Sequence, residues 1–375
     1  MKEEKQKSFV KPLIIIACVV LCLAIAFGVV WYSVIVPYQM YNDTYKSATA
    51  LMNDGKYIEA ISVFEKTNGY KDSVKKIDKC NEAIMEDKYN EALAFKKEKK
   101  YTEAIKRFEL LAEYKDSKSK IEECKLDIEY DEAIKLIESK KYVKAYEALL
   151  KLGNHNNSAK KAAEIFADYE VEKIKFANKG DYVTFGSYEQ DNNYDNGREA
   201  IEWQVLDVID GKMLLVSKYI LAVDNFGYEA YWCDSDLRNW LNKDFCESAF
   251  TNGERNKIST TKIDDNVKIP DNTKQGKPTE DKLFVLSTKE ANKYFASDEL
   301  RECDLTKSAG QYWGKYYAKS GSYTWWLRTP GSNIASYGYT IYYSSHVNDD
   351  GRIFLTSGSG LGVCGVRPAM WIDLS

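Results

Sequence analysis

Hydrophobic and polar positions fall into three regimes along the chain. The first is a single run: Leu13 to Val36, LIIIACVVLCLAIAFGVVWYSVIV, is 24 residues without a charge. A helix needs about 20 apolar residues to cross a bilayer. The second is periodic. Tyr57, Ala60, Ile61 and Phe64 recur at i, i+3, i+4 and i+7, which puts them on one helical face. The third begins after Gly180, where short aromatic stretches alternate with Gly, Asn and Asp turns and predict strands.

The apolar run sets a topology. Lys2, Lys5, Lys7 and Lys11 precede it, and positive flanks stay in the cytoplasm. The expectation is a cytoplasmic tail over 1–12, a transmembrane helix over 13–36, and an extracytoplasmic remainder. The expected localisation is the plasma membrane, with a single pass. Ala24-Ile25-Ala26 has the form of a signal-peptidase site, so a cleaved signal is the rival. The apolar run continues ten residues beyond it, which favours an uncleaved anchor.

The periodic region repeats. GKYIEAISVFEKTNGYKDSVKKIDKC (55–80) returns as KKYTEAIKRFELLAEYKDSKSKIEEC (99–124), 44 residues on, and in worn form as KKYVKAYEALLKLGNHNNSAKKAAEI (140–165). Such a period predicts stacked helical hairpins. Asp72-Ser73 and Asp116-Ser117 suit helix starts, with long helices over roughly 74–98 and 118–139. The Y-x-x-A-I-x-x-F pattern resembles tetratricopeptide repeats, although the unit is longer than 34 residues. The resemblance implies an all-α solenoid over 38–178. It would serve either as a spacer or as a surface for a protein partner.

Beyond 180 the pattern predicts an α+β domain with mainly antiparallel strands. IEWQVLDVIDGKMLLVSKYIL (201–221) reads as a hairpin around Asp210-Gly211. SDLRNWLNKDFCESAF (235–250) has helical spacing, and 264–281 is a polar loop. Phe185 to Tyr188 (FGSY), Ser235 to Asn242 (SDLRNWLN), Trp325 to Gly331 (WWLRTPG) and Gly365 to Trp371 (GVRPAMW) resemble a C-terminal domain of unknown function found in bacterial surface proteins. That family looks like a divergent C-type-lectin-like fold, similar in layout to formylglycine-generating-enzyme-like domains. The resemblance implies a lectin-like fold over 180–375. The oxidase chemistry of the latter domains needs two close cysteines, and Cys364 has no near partner in sequence.

Charge and composition narrow the functional classes. With 53 basic and 57 acidic residues, the net charge is −4 and no basic stretch marks a nucleic-acid partner. The chain has two histidines, His155 and His346, and His346 alone lies in the last domain. No Ser-His-Asp set, multi-ligand zinc spacing or carboxylate pair can be named, so no catalytic residue and no metal ligand is assigned. No cofactor is expected. Calcium on Asn348-Asp349-Asp350 is the single candidate, against a plain hairpin turn at Asp350-Gly351.

Binding candidates lie near the C-terminus. Trp326 and Arg328 in TWWLRTPGSN read either as a seam tying loops together or as a ligand anchor. The stretch 332–351 is rich in Tyr, Ser and Asn, which suits an adaptable recognition surface. Strand alternation puts Thr340, Tyr342, Ser344, His346 and Asn348 on one outward face, with Asp349 following. The expected function is a membrane-anchored binding protein whose head recognises a glycan, cell-wall polymer or surface protein. The alternatives are an envelope-modifying enzyme, or a scaffold whose repeats bind a membrane partner.

Overall fold

The structure, a computed structural model, describes residues 3–228, 230–264, 276–313, 323–336, 339–358 and 363–375. The chain divides into two compact units, Met1–Ile128 and Glu129–Ser375.

The first unit is helical. Helix α1 (Glu3–Val30) passes through a π-helical turn, Trp31–Ile35, into α2 (Val36–Asn53). The apolar part contains an 18-residue window of mean hydropathy 3.0, none of it buried. This length and composition fit a membrane span or a signal sequence. Next come α3 (Tyr57–Glu65), α4 (Ser73–Lys97), α5 (Tyr101–Glu109) and the start of α6 (Ser117–Glu138). The predicted faces are the buried ones: Ala60, Phe64, Ala104, Phe108, Cys80 and Cys124 are all fully inaccessible. The small Ala side chains let neighbouring helices approach closely. The 44-residue offset also appears in polar contacts. Tyr45 donates its hydroxyl to Asp72, and Tyr89 donates to Asp116. Lys71 reaches Asn42, and Lys115 reaches Glu86. Tyr38 and desolvation raise the Tyr70 hydroxyl to about 12, and its counterpart Tyr114, bonded to Glu86, is also raised to about 12.

The second unit continues α6 into α7 (Tyr142–Lys151) and α8 (Ser158–Ile174), then becomes α+β. Strands β1 (Tyr182–Tyr188), β2 (Glu199–Ile209) and β3 (Lys212–Ser217) lead to β4 (Ala222–Asn225). Helix α9 (Asp236–Trp240) runs through the π-helical turn Leu241–Phe245 into α10 (Cys246–Ala249), with α11 (Asn252–Lys257) after it. Then come β5 (Thr261–Ile263), β6 (Thr279–Asp281), α12 (Thr288–Tyr294), α13 (Asp298–Arg301) and α14 (Lys307–Trp313). The chain ends on β7 (Trp325–Ser336), β8 (Tyr339–Val347), β9 (Ile353–Gly358), β10 (Val363–Val366) and β11 (Ala369–Asp373).

The strands form sheets of order β1-β2-β3-β11, β4-β10-β7-β8-β9 and β5-β6. Neighbours are antiparallel, except that β10 runs parallel to β7. The β2–β3 turn is the predicted one. Asp210 and Gly211 both take positive φ, 49° and 73°, as a two-residue type I′ turn requires. Helix starts also follow the sequence: Ser235 caps α9, and Ser287 with Glu290 forms a capping box on α12.

A small apolar core lies among α6, α7 and α8, and a larger one joins α8 to the strand region. The larger core includes Trp203, Phe226, Trp325 and Trp326 from the strand region, and also Val171 and Ile174 from the last turns of α8. Helix α8 is thus built into the same core as the sheets.

Candidate functional site

The stretch TWWLRTPGSN is largely interior. Trp325 and Trp326 point to opposite faces of β7, yet both are fully buried. Each indole N–H has a carbonyl, Arg301 O at 3.0 Å for Trp325 and Asp224 O at 2.9 Å for Trp326. Arg328 is 4% exposed. Its guanidinium donates to Val285 O at 2.8 Å and to Glu290 at 2.5 Å, and it lies over the Phe284 ring. Burial pushes the Glu290 carboxyl up, but Arg328 and the Ser287 N–H and hydroxyl outweigh it, and the net shift is downward. Gly331 is packed so tightly that a Cβ there would sit 2.2 Å from Leu355 O.

The expected outward face of β8 is only partly outward. Ser344 and its neighbour Ser345 are both fully buried. A register shift between Ser344 and His346 breaks the alternation that placed Ser344 outside. His346 is half-buried against Phe354, at 5.7 Å between rings, and burial lowers its pKa. Asn348 donates its amide to Asp350, which pairs with Arg352, and Gly351 closes the β8–β9 turn, while Asp349 is exposed. The side chains of Thr340 and Tyr342 lie outside the described residues, as do 265–275 of the polar loop.

A different place gathers chemistry. A cleft of about 510 Å3 opens between α8 and the sheet region. Phe166 and Glu170 line it from α8, and Gly186 and Ser187 from β1. Arg198, Glu247, Phe250, Asn252, Glu254 and Arg255 are also in the wall. Its floor is an α8–α11 seam. Asp168 pairs with Lys257 at 2.8 Å, and Gly253 is close enough that a Cβ would touch Ala167 at 3.2 Å.

At this seam two carboxyls meet. Glu254 is 3% exposed and caps α11 by accepting the Thr251 N–H at 2.6 Å. The Gly186 N–H and the Glu254 carboxyl both act on the Glu170 carboxyl, whose Oε2 is buried without a hydrogen-bond partner. Desolvation first, then Glu254, push Glu170 up to about 9. Gly186 makes this possible. It sits in a β1 bulge at φ 70°, and a Cβ there would come 2.5 Å from the Phe250 ring. Only glycine brings a backbone N–H to that point without a clash.

A second acidic group, Glu189, Asp191 and Glu199, brings carboxylate oxygens within 4.8 Å. Glu199 accepts the Gln190 and Asp191 N–H groups, and Asp191 accepts those of Asn193 and the Asn196 amide. These bonds shape the 189–199 loop.

The Glu170–Glu254 pair is not legible in the sequence as a pair. Signals for each half were present. Glu170 falls at i+3 from Ala167 and i−4 from Ile174, a charge on an otherwise apolar stripe. Thr251-x-x-Glu254 is a capping-box pattern. Nothing local says that residues 84 apart touch.

Six of the fourteen residues that line the cleft, Phe166 to Ala200, precede the part of the chain that a family model matches. No curated protein and no solved structure matches the chain. Residues 210–374 match the family model described as "Domain of unknown function (DUF6273)".

Proposed function

We propose that the chain is a membrane-anchored, extracytoplasmic binding protein. Its apolar helix holds it at the plasma membrane with the N-terminus inside. Its tetratricopeptide-like helices act as a spacer and can offer a face to a protein partner. Its lectin-like C-terminal unit takes a glycan, cell-wall polymer or surface protein into the cleft beside α8. The cleft itself carries this reading: about 510 Å3, a volume in the range of small-ligand sites. Aromatic Phe166 and Phe250 lie next to charged Arg198, Glu247 and Arg255, so apolar contact and polar orientation are available together.

Purified full-length protein in detergent should sediment with insoluble peptidoglycan carrying its wall polymers. Arg198 is exposed and its guanidinium reaches Ser248 O at the rim. Arg198→Glu should cut retention about tenfold, as expected of one lost charge-assisted contact worth roughly 1.5–3 kcal/mol. Equal retention of the two proteins would remove the cleft as the site. Protease added to intact cells should digest everything after Pro37, and protection would reverse the topology.

The carboxyl pair in the cleft supports a second reading, an envelope-modifying enzyme. Glycoside hydrolysis needs its carboxyls about 5 Å or more apart, to leave room for the sugar carbon. Glu170 and Glu254 lie side by side, too close for that arrangement, so the binding reading stands first.

A further inference from the structure

Glu170 Oε2 is buried and has no hydrogen-bond donor while both carboxyls are ionised. The carboxyl beside it is that of Glu254, which is itself an acceptor when ionised. Two carboxylates in that contact repel one another. Two carboxyls holding one proton form a short, charge-assisted hydrogen bond. Elsewhere the seam is provided for: Glu254 accepts the Thr251 N–H, and the Gly186 N–H lies on the Glu170 side. One proton is therefore the missing part of an otherwise complete seam.

We propose that Glu170 and Glu254 share a proton that latches α8 onto α11 and β1, so that the seating of α8 in the C-terminal unit is controlled by pH. The surrounding charges do not replace the proton. On α8, Asp168 is spent on Lys257, and Lys173 only weakly favours the ionised form of Glu170. On α11, Arg255 is turned to Phe250 O and Asn252. Arg198, before β2, is turned to Ser248 O. Glu247 of α10 adds a further negative charge at the cleft wall. β1 offers the Gly186 N–H but no charged side chain at the seam.

The direction of the response follows from linkage. The folded unit holds the Glu170 proton up to about pH 9, whereas an unfolded glutamate releases it near 4.3. Between these values the folded state binds the extra proton, so its stability falls as pH rises. The contribution is complete below the ordinary carboxyl range and is lost as pH climbs through the folded value. Loss of the proton leaves two adjacent negative charges under α8. The last turns of that helix, with Val171 and Ile174, are then pushed from the core they share with the strands.

The test uses full-length protein in an uncharged detergent. Seven of the eight tryptophans lie in the C-terminal unit, so tryptophan emission follows its melting. Wild type should lose melting temperature steadily from pH 5 to pH 9. Glu170→Gln keeps the shape, accepts the Gly186 N–H and donates to Glu254 at every pH. It should flatten the slope and melt about 5 °C or more above wild type at pH 8.5. Glu254→Gln preserves a capping side chain and should flatten the slope too. Hydrogen exchange over 158–174, corrected for its intrinsic pH dependence, should quicken at pH 9 in wild type alone. A wild-type slope shared by both variants would overturn the latch, as would Glu170→Gln melting below wild type at pH 8.5.

Discussion

Replacing Arg328 with alanine should destabilise the C-terminal unit by about 3 kcal/mol, the lower end of the cost of breaking a buried ion pair. The guanidinium is almost entirely enclosed, and it serves a carbonyl, a carboxylate and an aromatic face at once. The lower end applies because the Glu290 side chain keeps 28% exposure and retains the Ser287 N–H and hydroxyl. In thermal melts this corresponds to roughly 6–12 °C for a unit of this size. The pH dependence should change as well. The net downward shift of the Glu290 carboxyl means that its stabilisation is complete above the ordinary carboxyl value and fades as pH falls. The variant should lose that acid-side dependence. Wild-type stability with lost ligand retention would make Arg328 a ligand anchor.

Trp326→Ala should cost more, about 3–5 kcal/mol for the emptied volume. Leaving Asp224 O without its donor adds roughly 1–3 kcal/mol if no water enters. The ring is fully buried and meets Phe226 edge-on at 5.5 Å, so little can collapse into the space. Tyr228, 83% exposed, is the control: its alanine variant should stay within about 0.5 kcal/mol of wild type. A urea titration of both variants, followed by tryptophan emission, would measure the difference. A Trp326→Ala loss under 1 kcal/mol would contradict a packed seam.

These two residues also mark what the sequence could convey. A Trp-Trp-Leu-Arg strand running into Pro-Gly announces tight packing, and the packing is there. Local codes were equally readable. Asp210-Gly211 required a primed turn, Ser287 with Glu290 made a cap, and the Tyr57-Ala60-Phe64 stripe named its buried face. Long-range facts were not readable. The parallel β10–β7 pair joins residues 40 apart at Gly365 and Trp325, and a mainly antiparallel pattern gives no hint of it. Alternation in β8 failed at Ser344, because one shifted register suffices to bury two consecutive serines. The cleft was the least visible of all. Glu170 and Glu254 belong to segments with different patterns, one helical and periodic, the other a short capping turn. Each alone looks like ordinary surface chemistry.

The matched polar contacts of the helical unit carry a consequence for the length of the chain. Tyr45 and Asp72 stand to each other as Tyr89 and Asp116 do. Each tie is therefore addressed by type rather than by partner. Excising 58–101 would join Tyr57 to Thr102 and present Asp116 to Tyr45, and Lys115 to Asn42, in the places their counterparts hold now. A single-residue deletion inside α4 would instead rotate its following turns by about 100° and misalign every later tie. The chain can thus change length in steps of one whole repeat far more readily than by one residue, much as a ladder can lose a rung spacing but cannot bear a bent rail.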